Sequence, residues 1–187
     1  MSSPLIYVAK QTILETERLL LRPLSVDDLS DYYEYVSDDE LLQYDFPASK
    51  DLADALEALV AYNLAQPLGR YGLELKTSGK LIGHFSLRLN AEQMSVEVGY
   101  VLHRLYHRQG YAMEALAALL AFVQTIPQIE TIVATVDHRN IASQHLLSKN
   151  NFQHVATAEQ VESLRGMLTT NFIYERSCRT KQPSVPA

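Results

Sequence analysis

His107-Arg-Gln-Gly-Tyr-Ala-Met-Glu-Ala-Leu-Ala-Ala-Leu-Leu-Ala-Phe-Val123 decides how this chain is read. A polar segment with one glycine, Gly110, runs directly into a long Ala/Leu-rich stretch of high helix propensity. Just upstream lies Ser95-Val-Glu-Val-Gly-Tyr-Val-Leu102, which is apolar and β-prone. Strand, tight loop and helix start, in that order, present several unpaired backbone N–H groups to an anion. The helix macrodipole adds about half a positive charge at the same end. The stretch is therefore a candidate phosphate-gripping loop; the plainer alternative is a turn that only starts a helix.

Moving outward, Thr131-Ile-Val-Ala-Thr-Val136 reads as a buried strand. Ile141 to Lys149 reads as a helix capped by Asn140 and ended at Asn150-Asn151, since Asn tolerates the left-handed conformation of a helix stop. Strands over 152–158 and 168–175 complete the C-terminal half. Toward the N-terminus, 94–102, 81–90 and 71–76 read as strands, the last two joined by the turn Thr77-Ser-Gly-Lys80. The periodicity over 51–66 is helical, and Ser25 caps a helix over 26–36. Residues 37–44 read as a short helix or turn, and 13–22 as a first strand stopped by Pro23. The order β-α-α-β-β-β-α-β-α-β-β specifies one α/β (α+β) domain over 13–176 with a mixed sheet, and residues 1–12 and 177–187 are expected to be flexible ends. It is not a run of regular βαβ units, and the spaced glycines of a dinucleotide fingerprint are missing.

A length of 187 residues suits a single domain with a sizeable core. A net charge of −6 argues against a nucleic-acid binder. No run has the length and apolarity of a membrane span, and the first residues lack the pattern of a secretory signal. Cys178, the only cysteine, excludes an internal disulfide and fits a reducing, cytoplasmic setting. A monomer or homodimer is expected.

The element order, with Gly110-Tyr-Ala112 opening one helix and Asn140-Ile-Ala-Ser143 the next, resembles the GNAT acyl-CoA-dependent N-acetyltransferases. Within that family the chain is most similar to the Rim group of ribosomal-protein N-terminal acetyltransferases. Glu15-Thr-Glu-Arg-Leu-Leu-Leu-Arg-Pro23, Glu97-Val-Gly-Tyr-Val-Leu102, Asn140-x-x-Ser143 with Leu146 and Phe152, and Asn171-Phe-Ile-Tyr174 carry that likeness. The family's loop, Gln/Arg-x-x-Gly-x-Gly/Ala, becomes His107-Arg108-Gln109-Gly110-Tyr111-Ala112, so the first position departs. The family uses this loop largely through backbone N–H groups, which the departure does not remove, so the match is weakened only modestly.

The resemblance implies a mostly antiparallel sheet with two splayed central strands and acetyl-CoA as co-substrate. Backbone N–H groups from Arg108, Gln109, Gly110, Tyr111 and Ala112 would meet the pyrophosphate. Backbone groups of Tyr100, Val101 and Leu102 would pair with the amide-rich pantetheine arm as a strand pairs with a sheet edge. Gly99 signals a bulge or a close backbone approach. Arg104, Arg108 and Arg139 are candidate partners of the adenosine 3′-phosphate, and Asn140 a candidate for a cofactor amide or carbonyl. The resemblance also implies Ser143 as the acid near the thiolate and Glu162 as the base that takes the amine's proton. Glu97, an acid in an apolar strand, is a rival base, since burial would raise its pKa. Each also has an ordinary reading, as first-turn residue, exposed loop acid and solvent-facing strand acid respectively. Cys178 is remote in sequence from these elements, so direct attack in a ternary complex is expected rather than an acetyl-cysteine intermediate.

His103 and His107 lack an apparent third ligand, so no metal is expected. Tyr32, Tyr33, Tyr35, Asp38, Asp39, Glu40, Tyr44 and Asp45 would form an acidic, aromatic wall suited to a cationic or peptide N-terminal amine; a solvated helix face is the alternative. The expected activity is transfer of an acetyl group to a protein N-terminal or small-molecule amine. The competing readings are a catalytically silent acyl-CoA-binding or interaction module on the same fold, and a nucleotide-binding regulator.

Overall fold

The computed structural model describes residues 3–178. Eight strands form one sheet: β1 (Leu14–Glu15), β2 (Leu19–Arg22), β3 (Arg70–Leu75), β4 (Leu81–Asn90), β5 (Ser95–Leu102), β6 (Thr131–Asp137), β7 (Gln153–Glu162) and β8 (Leu168–Ser177). Their order across the sheet is β1-β2-β3-β4-β5-β6-β8-β7. Every neighbouring pair is antiparallel except β5 and β6. The helices are α1 (Pro4–Lys10), α2 (Leu29–Val36), α3 (Leu52–Leu59), α4 (Tyr111–Val123) and α5 (Ile141–Lys149).

Alternation along the strands sends Tyr71, Phe85, Leu87, Val96 and Val98 to one face, where they pack with Leu116, Leu119 and Val123 of α4 and Leu147 of α5. Val101 and Leu81 face the other way, onto Tyr35 and Val36 of α2 and Ala55 and Leu59 of α3. Ser25 begins the α2 segment as a capping box: Asp27 N–H donates to its hydroxyl, and its own N–H donates to Asp28. The first turn, Val26–Asp28, is a tighter 3-10 turn rather than α-helix. Asn151 takes φ 62°, the left-handed stop its sequence position predicts.

Four features differ from the sequence-based expectations. Residues 4–10 are helical rather than flexible: Ser3 caps the helix, Pro4 takes its first position, and Val8 is buried in the core. The first strand is broken after Glu15, where Thr16 N–H donates to the Leu19 carbonyl and Leu19 N–H to the Thr16 hydroxyl. The helix over 51–66 is α-helical only to Leu59 and continues as a π-turn over Val60–Leu64. The last strand runs on through Ser177, and Cys178 N–H donates to the Glu130 carbonyl, so these two residues are not a loose end. The rest of that expected tail, 179–187, lies outside the described residues. No described helix is long and apolar enough to cross a membrane.

Candidate active site

Strands β5 and β6 pair only from Ser95–Glu97 to Thr131–Val133. Beyond that they part, while β5 stays paired to β4 up to Leu102 and β6 to β8 up to Asp137. The result is a wedge between two parallel strands, with α4 and α5 starting beside its open end. Backbone alternation then decides which groups face the wedge. His103 N–H donates to the Ile82 carbonyl, and the Val101 carbonyl lies 2.3 Å from where a Cβ would stand on Gly83. Odd-numbered residues here therefore face β4, and the even-numbered Tyr100 and Leu102 face the wedge. Val101, expected to line the edge, does not. The Leu102 carbonyl is bonded to His107 Nε2 at 2.7 Å, leaving Tyr100 N–H and C=O and Leu102 N–H at the open edge.

The loop after β5 turns through a 3-10 turn at Arg104–Tyr106, then through positive φ at Arg108 (59°) and Gly110 (85°). Left-handed residues on either side of Gln109 turn successive N–H groups the same way, an anion-binding concavity. Among the described residues, none of the N–H groups from Arg108 to Ala112 has an acceptor within the chain. Arg18, for which the sequence carries no local signal, braces this loop. Its Nη1 donates to the Gln109 carbonyl at 2.9 Å, its Nε donates to Glu114 at 2.6 Å, and its guanidinium lies 4.3 Å from the Tyr111 ring centroid. Glu114 also accepts from the Thr16 hydroxyl and from Arg18 N–H, so one carboxylate in the first turn of α4 ties the β1–β2 turn to the loop. Arg18→Ala is expected to lower the melting temperature and to weaken acetyl-CoA binding severalfold, as read by a thermal scan and by calorimetric titration.

Ser143 sits in the first turn of α5, where its N–H donates to Asn140 Oδ1 at 3.1 Å. Its hydroxyl meets the Tyr100 hydroxyl at 2.6 Å, bridging β5 and α5. Burial and the nearby Asp45 carboxylate push the Tyr100 phenol up, which keeps it protonated. Asp45 is open to solvent as a residue, while its carboxyl group has protein atoms around it. Desolvation there, with the Asp137 carboxylate near it, raises its carboxyl to about 6. Water reaching that opening moderates the effect. Asp137 itself is held well below the usual carboxylate range by Arg139, Thr169 and the Arg139 backbone N–H.

The remaining candidates lie in distinct places. Glu162 ends β7, exposed and opposite Leu168, and its carboxylate makes no ion pair among the described residues. Three residues on, Arg165 ties the β7–β8 turn to Asp39 and to the Phe46 carbonyl, over the segment that carries Asp45. Glu97 is not buried: it pairs with Arg88 at 3.1 Å on the α2/α3 face, at the closed end of the wedge, and so lacks the setting expected of a base. Gly99 is not a bulge, since the β4–β5 register is continuous. Of the three candidate phosphate cations, Arg104 is committed to Asp38 and Glu40, and Arg139 to Asp137, with its guanidinium 5.2 Å from the Tyr44 ring centroid. Arg108 is exposed and has no partner among the described residues.

The acidic wall is largely neutralised: Asp38 and Glu40 by Arg104, Asp39 by Arg165, while Tyr32 and Tyr35 are core. Cys178 lies beside Glu130, about 20 Å along β6 from the wedge's open end. Burial pushes its thiol up, the opposite of an activated nucleophile.

Residues 18–153 match the acetyltransferase (GNAT) domain family. The chain is 29% identical over 136 residues to the uncharacterized N-acetyltransferase YnaD of Bacillus subtilis (strain 168), covering 73% of this chain and 79% of the relative. A GNAT-family acetyltransferase from Bacillus anthracis has the same fold, with TM-score 0.79 and 22% identity over 89% of this chain and 98% of that one. So does RimL, a ribosomal L7/L12 α-N-protein acetyltransferase solved with coenzyme A, at TM-score 0.77 and 19% identity over 88% and 97% of the two chains. The parted parallel strands, the loop of unpaired N–H groups and a family match over most of its length agree, and the chain belongs to the GNAT acetyltransferase family.

Proposed function

We propose that the chain is an acetyl-CoA-dependent N-acetyltransferase that acylates a primary amine by direct attack in a ternary complex. The observation that carries this reading is the wedge between β5 and β6, whose unpaired Tyr100 and Leu102 backbone groups run toward the unsatisfied N–H groups of 108–112. An extended, amide-rich arm ending in a diphosphate fits those groups, so the residues present suit the co-substrate. Acetyl-CoA, when bound, supplies the activated acyl group. Arg108 to Ala112 offer N–H donors to its phosphates, and Arg108 a free cation. Tyr100 and Leu102 offer edge pairing, and Asn140 a side-chain amide whose nitrogen is not used in the helix cap.

The Tyr100–Ser143 hydroxyl pair supports a proton donor at the wedge for the departing thiolate. The amine must react in its neutral form, so a base has to take its proton. Two carboxylates suit that role, Glu162 by family resemblance and Asp45 by its raised carboxyl and its coupling to Tyr100. A base must be ionised, so a role for Asp45 gives kcat/KM that rises with pH through about 6. That limb is expected to vanish in Asp45→Asn and to persist in Glu162→Gln; the reverse pattern assigns the base to Glu162. The same raised carboxyl makes the fold lose stability as pH climbs from 4 to 6, because the folded state holds the proton more tightly. Asp45→Asn is accordingly expected to melt higher than the parent at pH 7, which a pair of thermal scans checks.

Thiol release from acetyl-CoA in the presence of peptide and small-molecule amines tests the function itself. Release that depends on one amine supports the enzyme. Tight acetyl-CoA binding without release on any amine supports a silent acyl-CoA-binding module instead. The lone, unactivated cysteine fits a reducing cytoplasmic setting.

A further inference from the structure

Arg70 opens β3 on the α2/α3 face of the sheet, half-buried and with no anion to pair with among the described residues. Six other arginines do have one: Arg18 with Glu114, Arg22 with Asp28 and Glu74, Arg88 with Glu97, Arg104 with Asp38, Arg139 with Asp137, and Arg165 with Asp39. Burying part of a guanidinium without a counter-charge costs free energy, and the cost grows beside a like charge. Arg88 is that like charge, near enough to Arg70 to disfavour its protonated form.

The cross-strand register shows what lies between them. Arg70 stands opposite Ser86, and Ser86 opposite Gly99. Directly opposed residues share a face, so the three form a row from β3 across β4 to β5. Ser86 is buried at 5% exposure, and its hydroxyl has no partner among the described residues. Arg88, two positions further along β4, turns the same way and pairs with Glu97. A Cβ on Gly99 would stand 3.0 Å from Ser86 Oγ and 3.8 Å from both terminal nitrogens of Arg88. Without a side chain at Gly99 the place beside Ser86 Oγ is left clear, a small hollow on the face that also carries Arg70 and the Arg88–Glu97 pair.

We infer that this hollow receives a carboxylate of the acceptor, so that the preferred acceptor is an amine carrying a carboxylate a short distance away. Arg70 and Ser86 supply the donors it needs; the Arg88 charge beside them is already matched by Glu97. Gly99 precedes Tyr100, whose backbone edges the wedge, and β3 lies two strand spacings, about 10 Å, from β5. A carboxylate in the hollow is therefore about 5–10 Å from an amine at the wedge. That span suits an acidic side chain next to a peptide's N-terminal residue, or a small amino acid with a terminal carboxylate. Of the acidic residues near the cleft, Asp38 and Glu40 are matched by Arg104 and Asp39 by Arg165, whereas Arg70 is a positive charge with no match among the described residues.

This inference rests on the reading of the chain as an amine acetyltransferase, and its test is separable from that reading. The probes are the dipeptide amides Ala-Glu and Ala-Gln, identical except for one carboxylate, titrated calorimetrically into the CoA-loaded protein. Ala-Glu amide is expected to bind about ten- to a hundredfold more tightly than Ala-Gln amide, the range for a charged hydrogen-bonded contact. Arg70→Gln is expected to erase that preference while acetyl-CoA affinity stays at the parent value. Gly99→Ala, which fills the hollow without removing either arginine, is expected to reduce it in the same direction. Equal binding of the two probes by the parent, no binding of either, or a preference that survives in both variants would overturn the inference. Failure of the acetyltransferase reading would show instead as absent acetyl-CoA binding or absent thiol release, whichever dipeptide is preferred.

Discussion

Gly110→Asp is expected to lose acetyl-CoA affinity by about a hundredfold, and Gly110→Ala by about five- to tenfold. Gly110 holds φ 85°, a conformation that costs an L-residue about 1–2 kcal/mol. A Cβ there would also stand 3.2 Å from Arg18 Nη2, so the brace between the β1–β2 turn and the loop must give slightly. Alanine isolates those two costs. Aspartate adds a carboxylate among the N–H groups proposed to meet the diphosphate, and it competes with Glu114 for Arg18. Calorimetric titration with acetyl-CoA separates the contributions. Affinities near the parent value in both variants would remove the loop from the cofactor site, and equal losses would remove the electrostatic contribution.

Ser143→Ala is expected to lower kcat by about ten- to a hundredfold while acetyl-CoA affinity stays within a factor of about two. The effect lies at the low end for acid catalysis because a thiolate leaves readily without full protonation. Tyr100→Phe should cost a similar factor, since its hydroxyl sits 2.6 Å from Ser143 Oγ and either can donate to the other. If the two act as one donor, the double variant is no slower than the slower single one. Parent-level turnover of both single variants at saturating amine would refute the proton-donor role.

Much of the fold is local in origin, and that part is legible in the sequence. Asn140, Asn151, Ser25 and Gly110 mark helix ends through their own backbone and side-chain preferences, and the structure has them in those roles. Ser3-Pro4 is an equally local signal, a cap followed by proline in the first helical position, but it sits at a chain end, where fraying is the ordinary expectation. What the sequence does not show is which distant group meets which. The break in the first strand depends on Glu114, ninety-eight positions from Thr16, accepting the Thr16 hydroxyl. Glu97 looks buried from its apolar neighbours, but Arg88 reaches it only once β4 and β5 are in register. Asp38, Asp39 and Glu40 read as an acidic surface until Arg104 and Arg165 fold against them. Arg70 is informative for the opposite reason: among the described residues no anion arrives to match it. The direction of the Val101 backbone likewise follows from strand phase, which a residue pattern leaves free by one position.

The most direct test of the central claim is the melting temperature of the protein with and without acetyl-CoA, beside NAD and ATP at equal concentration. At a hundredfold excess over Kd, a ligand specific to the folded state adds about 2.7 kcal/mol. For a chain of this size that corresponds to a rise of about 5–10 °C. A rise of that order with acetyl-CoA, and none with NAD or ATP, is the expected result. No shift at millimolar acetyl-CoA, or an equal shift with all three, would contradict the assignment of the β5–β6 wedge and the Gly110 loop to an acyl-CoA.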